Sequence, residues 1–567
     1  MSDTHAQTVR YVRDSMIQPS EPPNAQTGAV KWMRENLFSD WVNGLMTVIA
    51  IYIIYSVLAA IAPWFYHSVW NAGSLNECRE VIAINSPNAM HGGGCFAVIS
   101  DRWLQLLFGF YRADLHWRPI LAFVLLFVAL GPILFPNRFP RPLMWLAAAY
   151  PFLVVWLLWG GSFWVPILAA LGFVIGGIVG YFGNKVGGLG VAVAAAVVSA
   201  VVWWVYLMPV VNDGLHATVA EARLETIAEQ TEADLIAIPE AQEAIETRMA
   251  ELNARVAELD AQLEEIVAVE ETDAVKAEFN AIMDELETVR AELRILSRDA
   301  YYYSQKSTDA KTIASNLEML PEWKAAAAEG DEIAQRNLSD AYGRLGLVGL
   351  EPVTSREFGG FMLAIIIGVA GIGLSLPLGV LLALGRQSDL LVVKVACIVF
   401  IEVIRGVPLI VWLFTASLLL NYFLPPGTNF DLVLRVVIMV TLFSAAYIAE
   451  VVRGGLAALP KGQYEAADAL GLDYWKSMRL IVLPQALKIS IPGIVNTFIG
   501  LFKDTTLVGI IGLLDPINLS NSIRASSDWN GVYWELFIFI GLVFFVCCFS
   551  MGRYSLWLEK QLQRGHR

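Results

Sequence analysis

The stretch EAADALGLDYWKSMRLIVLPQA, residues 465–486, sits in the loop 454–486 between two long apolar runs. Glu465-Ala466-Ala467-Asp468-Ala469 reads as a short helix with a small-residue face. Gly471 fits its C-terminal stop, where a left-handed turn is easiest without a Cβ. A second helix is expected through Tyr474, Trp475, Met478 and Ile481, ending at Pro484. Such a helix–Gly–helix elbow is either a surface for a soluble partner to grip or an amphipathic connector.

The flanking runs set the class of the whole chain. Of 567 residues, 56% are hydrophobic and only 16% charged, against about 25% charge in a soluble domain. A bilayer crossing takes about 20 apolar residues. Apolar runs fall near 42–66, 119–135, 143–160, 163–183, 188–210, 360–384, 394–424, 433–453, 487–512 and 533–556, which predicts an all-α membrane protein of about ten spans. Gly160-Gly161 and Pro166 divide 143–183 into a tight hairpin. Residues 1–40 are polar and too long for the basic head of a cleaved signal. Arg138, Arg141, Lys185, Arg386, Lys461, Lys476, Arg479, Lys488, Lys560, Arg564 and Arg567 fall on one side, which expects both termini inside. Arg79, Arg102 and Arg112 in the long loop 67–118 oppose that assignment. The expected division is an inner segment 1–41, five spans in 42–211 with an external loop 67–118, an external insert 212–357, and five further spans in 358–567.

Charge is concentrated in the insert. Residues 213–300 hold 23 acidic and 7 basic side chains; the remainder holds 30 and 32. A near-neutral membrane protein with one acidic segment gives no support for a nucleic-acid partner. Met249, Leu252, Val256, Leu259, Leu263 and Ile266 form one heptad seam, and Phe279, Ile282, Leu286, Val289, Leu293 and Leu296 a second. With the charged cluster Glu270-Glu271-Thr272-Asp273 between them, they predict an antiparallel hairpin standing off the membrane. One continuous helix pairing with another subunit is the alternative. Pro239 ends or kinks the run upstream. Residues 325–345 read as one helical-repeat unit unable to bury its own face. Cys78 and Cys95, both outside in this topology, read as a disulfide or as two unrelated thiols. Gly172, Gly176 and Gly180 give the spacing of closely packed helices, within this hairpin or at a subunit interface.

Two further places break the apolar pattern. Glu402-Val-Ile-Arg405-Gly406 and Glu450-Val-Val-Arg453-Gly454 each put an acid and a base on one helix face, as helix-end ion pairs. Pro408 implies a broken span just beyond the first. Lys503-Asp504-Thr505-Thr506 lies deep in an apolar span, where each charge costs at least about 2.5 kcal/mol unless it faces protein or water. Asn496, Gly500 and Lys503 share one stripe, with Thr497 and Asp504 on the adjacent one. A substrate path and a structural polar network are the two readings.

The run EAADALG…IVLPQA is similar to the EAA loop of ABC importer permeases. IEVIRGVPLIVWLF (401–414), AEVVRGG (449–455) and NTFIGLFKDTTLVGIIG (496–512) resemble the polar amino-acid branch, nearest the larger permease subunits of general L-amino-acid importers for glutamate, glutamine, aspartate and asparagine. The resemblance covers 358–567 strongly and 30–160 more loosely; 161–357 departs from the usual pattern. It implies a type I ABC importer permease core in a bacterial inner membrane, an external cysteine pair, and a paralogous permease subunit as partner. It also implies two ATP-binding subunits inside and a periplasmic amino-acid-binding protein. Glu465, Ala466, Ala467, Gly471 and Pro484 would then couple to the ATPase. Asn496, Thr497, Lys503, Asp504 and Thr505 would line the substrate path. No G-x-x-x-x-G-K-[ST] loop occurs in the chain, so ATP and its Mg would be bound elsewhere, and no metal or catalytic site is expected here. Two rival classes remain at this point: a membrane sensor with an external coiled coil, and an ion-coupled transporter using Lys503 and Asp504.

Overall fold

The computed structural model describes residues 28–85, 93–135, 138–267, 273–419 and 431–564. The chain divides into two units, Met1–Val69 with Arg79–Cys95, and Trp70–Cys78 with Phe96–Arg567. In the first, α1 (Gly28–Asn36) precedes α2 (Trp41–Tyr66), whose first turn is capped by Asp40 accepting from the Asn43 N–H. α2 is apolar all round and long enough to cross a membrane. The end of α2 is closed by the Gly94 N–H donating to the Trp64 carbonyl, 2.9 Å.

The second unit begins with α3 (Leu75–Asn85, shared between the units) and α4 (Ala97–Phe108), followed by α5 (Trp117–Leu134), α6 (Leu143–Trp159) and α7 (Trp164–Val202). Gly160 and Gly161 at the α6–α7 turn have φ of 76° and 96°, and a Cβ on Gly160 would stand 2.1 Å from the Glu351 carbonyl. Only glycine is tolerated in that left-handed, crowded corner. The turn continues as β1 (Gly161–Ser162), paired antiparallel with β2 (Gly349–Leu350). α7 bends at Gly187–Gly188 and returns on itself. Gly176 and Gly180 lie against Ala196 across the bend, so the glycine stripe serves close packing inside this hairpin. Trp203 and Trp204 reinforce it, their indole N–H groups donating to the carbonyls of Leu168 and Ala169 at 2.8 and 2.9 Å.

The insert is α8 (Met208–Val267), α9 (Asp273–Ala328) and α10 (Glu332–Leu345). Leu252, Leu259, Leu263, Phe279 and Leu286 are buried. Arg248 pairs with Glu292 at 2.9 Å, Arg255 with Glu285 at 2.6 Å and Asp260 with Arg290 at 3.2 Å. Glu221, early in α8, pairs with Lys324, late in α9, at 3.1 Å, and from there through Arg248–Glu292 to Arg255–Glu285 later positions in α8 meet earlier ones in α9, the order of an antiparallel hairpin. Glu270, Glu271 and Thr272 of the expected connection lie outside the described residues. Pro239 neither ends nor divides α8, which runs through it; Leu252, Leu259 and Leu263 further along hold the helix against α9. The repeat-like segment buries its face after all: Ala341, Tyr342 and Leu345 of α10 pack with Ala220 of α8 and Leu320 of α9. Nor does the hairpin stand off alone. Asn71 donates to Glu287 at 2.6 Å, Arg290 pairs with Glu77, and Arg294 pairs with Asp101 at 2.8 Å. Asp101 also accepts from the Trp529 indole at 2.9 Å.

The remaining helices are α11 (Gly360–Arg386), α12 (Leu391–Gly406), α13 (Leu409–Phe414), α14 (Leu432–Ala457), α15 (Gly462–Ala469), α16 (Tyr474–Ser477), α17 (Leu483–Asp504), α18 (Pro516–Arg524) and α19 (Trp534–Arg564). Met362, Leu363, Ile367, Val436, Val440, Leu501 and Val508 make one continuous core with Tyr111, Leu157 and Leu158 of the preceding region. Among the described residues eight helices are long and apolar enough to cross a membrane, or nine if α12 and the helix after it form one span bent by 102°. Of the ten runs read from sequence, that one is therefore broken, at Pro408, and α6 at 17 residues is short of the length.

Candidate functional site: an elbow and the helix it leads into

Gly471 has φ of 68° with no atom within 4 Å of a notional Cβ. Conformation, not space, demands glycine there. The Leu472 N–H donates to the Ala467 carbonyl at 3.2 Å and the Gly471 N–H to that of Asp468 at 2.9 Å, the paired bonds of a Schellman stop for α15. Asp473 then caps α16, accepting from the Lys476 N–H at 2.8 Å, and that bond with the Lys476 ammonium holds its carboxyl below the usual range. Ala467 is fully buried, whereas Glu465, Ala466, Leu470, Gly471, Tyr474 and Trp475 are exposed. Gln485 braces the bend, donating to the Gln463 side chain and the Ile481 carbonyl, both at 3.0 Å.

Pro484 does not stop the second helix. A single π-turn, Met478–Val482, passes the chain into α17, whose second residue is Pro484, so the helix runs on through the proline. The elbow's second helix and the span are accordingly one helical stretch, Tyr474–Ile511. Its first half is anchored where Met478, Val482, Ala486 and Ile494 pack with Ile448, Ala449 and Val452 of α14, Ala383 of α11 and Ile401 of α12. Gly455 permits the contact; a Cβ there would meet the Ser490 Oγ at 2.1 Å. Gly406 and Gly454, by contrast, face open space.

Further along α17, Ile489, Pro492, Asn496 and Lys503 are exposed along one line, while Ile494, Leu501 and Phe502 are buried on the other side. Thr497 is half-buried with its hydroxyl donating to the Gly493 carbonyl at 2.9 Å. Asp504 is half-buried, and neither it nor Lys503 forms an ion pair among the described residues. Thr505 differs from its neighbours: it is 1% exposed and bonded to the Phe502 carbonyl, so it packs the core and lines no surface.

The expected ion pairs are half corrected. Arg453 pairs with Glu450 at 2.9 Å, but Arg405 and Glu402 do not pair with each other. Glu402 pairs instead with Arg386 at 3.2 Å, Arg405 with Glu450 at 3.7 Å, and Arg386 also with Glu450. Arg386, at the end of α11, was legible only as an inside charge, because its partners come from two other helices. Cys78 and Cys95 are both buried and disulfide-bonded, and Cys397, Cys547 and Cys548 carry free thiols. Among the described residues no three His, Cys, Asp or Glu side chains are placed to hold a metal ion.

A second buried acid lies beyond the site. Asp515 caps α18 through the N–H groups of Ile517 and Asn518, at 3.0 and 3.1 Å, and burial pushes its carboxyl up to about 6.

Residues 375–564 match the family described as "Binding-protein-dependent transport system inner membrane component". The chain is 44% identical over 571 aligned residues, all of both chains, to the glutamate/glutamine/aspartate/asparagine transport system permease protein BztC of Rhodobacter capsulatus. That alignment includes 161–357, so the insert has a counterpart there. It is 50% identical over 220 residues, 39% of this chain and 60% of the other, to the inner membrane amino-acid ABC transporter permease protein YhdY of Escherichia coli. A crystal structure of an amino acid ABC transporter with histidines covers 35% of this chain and 91% of its own, at 29% identity and a TM-score of 0.32. The chain belongs to the amino-acid ABC transporter permeases, as a multi-pass membrane subunit and not itself an enzyme.

Proposed function

We propose that this permease imports polar L-amino acids, with glutamate, glutamine, aspartate and asparagine as the first candidates. It would work beside a paralogous permease subunit, two ATP-binding subunits on the inner side, and a periplasmic binding protein. The termini and the elbow would then face the cytoplasm of a bacterial inner membrane, and the insert the periplasm.

One observation carries the reading. The elbow's second helix and the span are one helical stretch, with the exposed Tyr474 and Trp475 at its start, the exposed Glu465, Ala466 and Leu470 on or just after the short helix joined to it through Gly471, and the exposed Asn496 and Lys503 deep in its apolar part. A lysine at that depth is unfavourable against lipid, so this face belongs to protein or water. A pull on the elbow by a closing ATPase dimer would move the same helix that walls the path. Asn496, Thr497, Lys503 and Asp504 are assigned to that path, and Glu465, Ala466, Gly471 and Pro484 to the coupling surface. Ala467 supports it from beneath. The external hairpin is assigned as an accessory docking arm for the binding protein.

Vesicles containing the purified complex test the assignment. Labelled glutamate should accumulate only with internal ATP and external binding protein, and the other three amino acids should compete. ATP-independent uptake, or purification without an ATPase chain, would restore the ion-coupled transporter or the sensor.

A further inference from the structure

Glu450 is the hub of the charged cluster at the inner end of the core. Its carboxylate faces three guanidinium groups: Arg386 from the end of α11, Arg405 from α12 at 3.7 Å, and Arg453 from its own helix at 2.9 Å. Arg386 is shared, since it also holds Glu402 of α12 at 3.2 Å. Arg405 lies besides over the Tyr447 ring of α14, 5.4 Å from its centroid. Glu450 is mostly enclosed, with 16% of its side chain exposed, while Glu402 is 57% exposed.

Position gives this cluster its consequence. Arg405 stands two residues before Val407, the extended residue at which the span breaks. α14, which carries Glu450, leads directly into the elbow, and its Ile448, Ala449 and Val452 pack on the elbow's returning helix. The opposite face of α12 is exposed at Leu391, Val392, Val395, Val399 and Val403. Within the chain α12 is therefore held by Ile401, Ile404 and these charges. An apolar contact that slides opens a void. A cluster with two carboxylates and three guanidinium groups slides by exchanging partners, because each guanidinium offers several donors in a planar fork.

We propose that Glu450, Arg386, Glu402 and Arg405 form an exchangeable ionic joint that makes α12 and the break at Pro408 follow the elbow. Arg386 and Glu450 are positioning residues: they touch neither nucleotide nor amino acid and act through α12. The inference rests on the importer reading, in particular on coupling through the elbow.

The test uses the complete complex in vesicles, comparing wild type with the neutral variants Glu450→Gln and Arg386→Gln and the charge-keeping variants Glu450→Asp and Arg386→Lys. Basal ATP hydrolysis, its stimulation by amino-acid-loaded binding protein, uptake and thermal melting are measured on each. Each neutral variant should assemble and hydrolyse ATP at the basal rate yet lose about tenfold in stimulation, within the span of ordinary coupling free energies. The charge-keeping variants should retain most of it. Stimulation preserved in both neutral variants overturns the joint. So do charge-keeping variants as defective as the neutral ones, or a loss of assembly in both neutral variants, since either reduces the cluster to support of the fold. A wild-type complex without amino-acid uptake would instead defeat the importer reading.

Discussion

Gly471 shows at the scale of one residue how much a backbone angle decides. A left-handed φ costs a side-chain-bearing residue roughly 1–2 kcal/mol, with free space all round the position. Gly471→Leu should leave membrane insertion intact but loosen the α15 stop, so that loaded binding protein no longer stimulates hydrolysis; uptake measured alongside ATPase activity checks this. Lys503 and Leu501, two positions apart, should separate cleanly. Leu501→Ala empties a buried site at about 2–5 kcal/mol and should lower the melting temperature. Lys503→Met should leave melting nearly unchanged and depress uptake. Full uptake by the methionine variant would make that charge dispensable. Asp515 makes a prediction in pH. Its folded value near 6 exceeds the usual 3.8. The native state thus binds the extra proton between these values, and stability falls as pH rises through that window, by roughly 3 kcal/mol in all. The gap in melting temperature between wild type and Asp515→Asn should therefore shift in favour of wild type on going from about pH 7.5 to about pH 5. A gap independent of pH would show that the capping N–H groups cancel the burial.

Among the elements, the α8–α9 hairpin and the elbow helix were legible to different depths. The heptad leucines of α8 and α9 announced two seams, and burial of Leu259 and Leu286 is the direct outcome. The polar connection between the seams favours an antiparallel hairpin, although the heptad pattern itself is the same for an antiparallel pair and a continuous rod. Arg248–Glu292 and Arg255–Glu285 decide it. Pro484 reads as a stop and Pro239 as a stop or a kink, since proline removes a donor. The helix passes Pro484 by way of the π-turn before it, and α8 continues beyond Pro239. For the arm, replacing residues 236–304 by a short Gly/Ser turn keeps the base where Ala220, Leu320 and Tyr342 pack. The shortened complex should assemble and show basal ATPase activity. It should need about fivefold more binding protein for half-saturation at low salt and less of an excess at high salt, where screening removes steering. Equal half-saturation at both salts would mean that the arm is not a dock.

For the whole molecule, sequence alone determined the material and the class. Long apolar runs dictate helices in lipid because each backbone donor must be satisfied within its own segment. The small-residue helix before Gly471 marked the elbow for the same local reason: a left-handed stop is written in a few adjacent residues. Tertiary structure alone decided which charges meet. Arg386 and Glu450 are 64 positions apart, Arg294 and Asp101 are 193 apart, and Trp529 and Asp101 are 428 apart. It also made Thr505 a core residue and left Lys503, two positions away, facing outward. Periodicity fixes which residues share a face of a helix, but which face is covered depends on where α11, α14 and α19 come to lie. That placement is set by the packing of distant surfaces, and no local pattern encodes it.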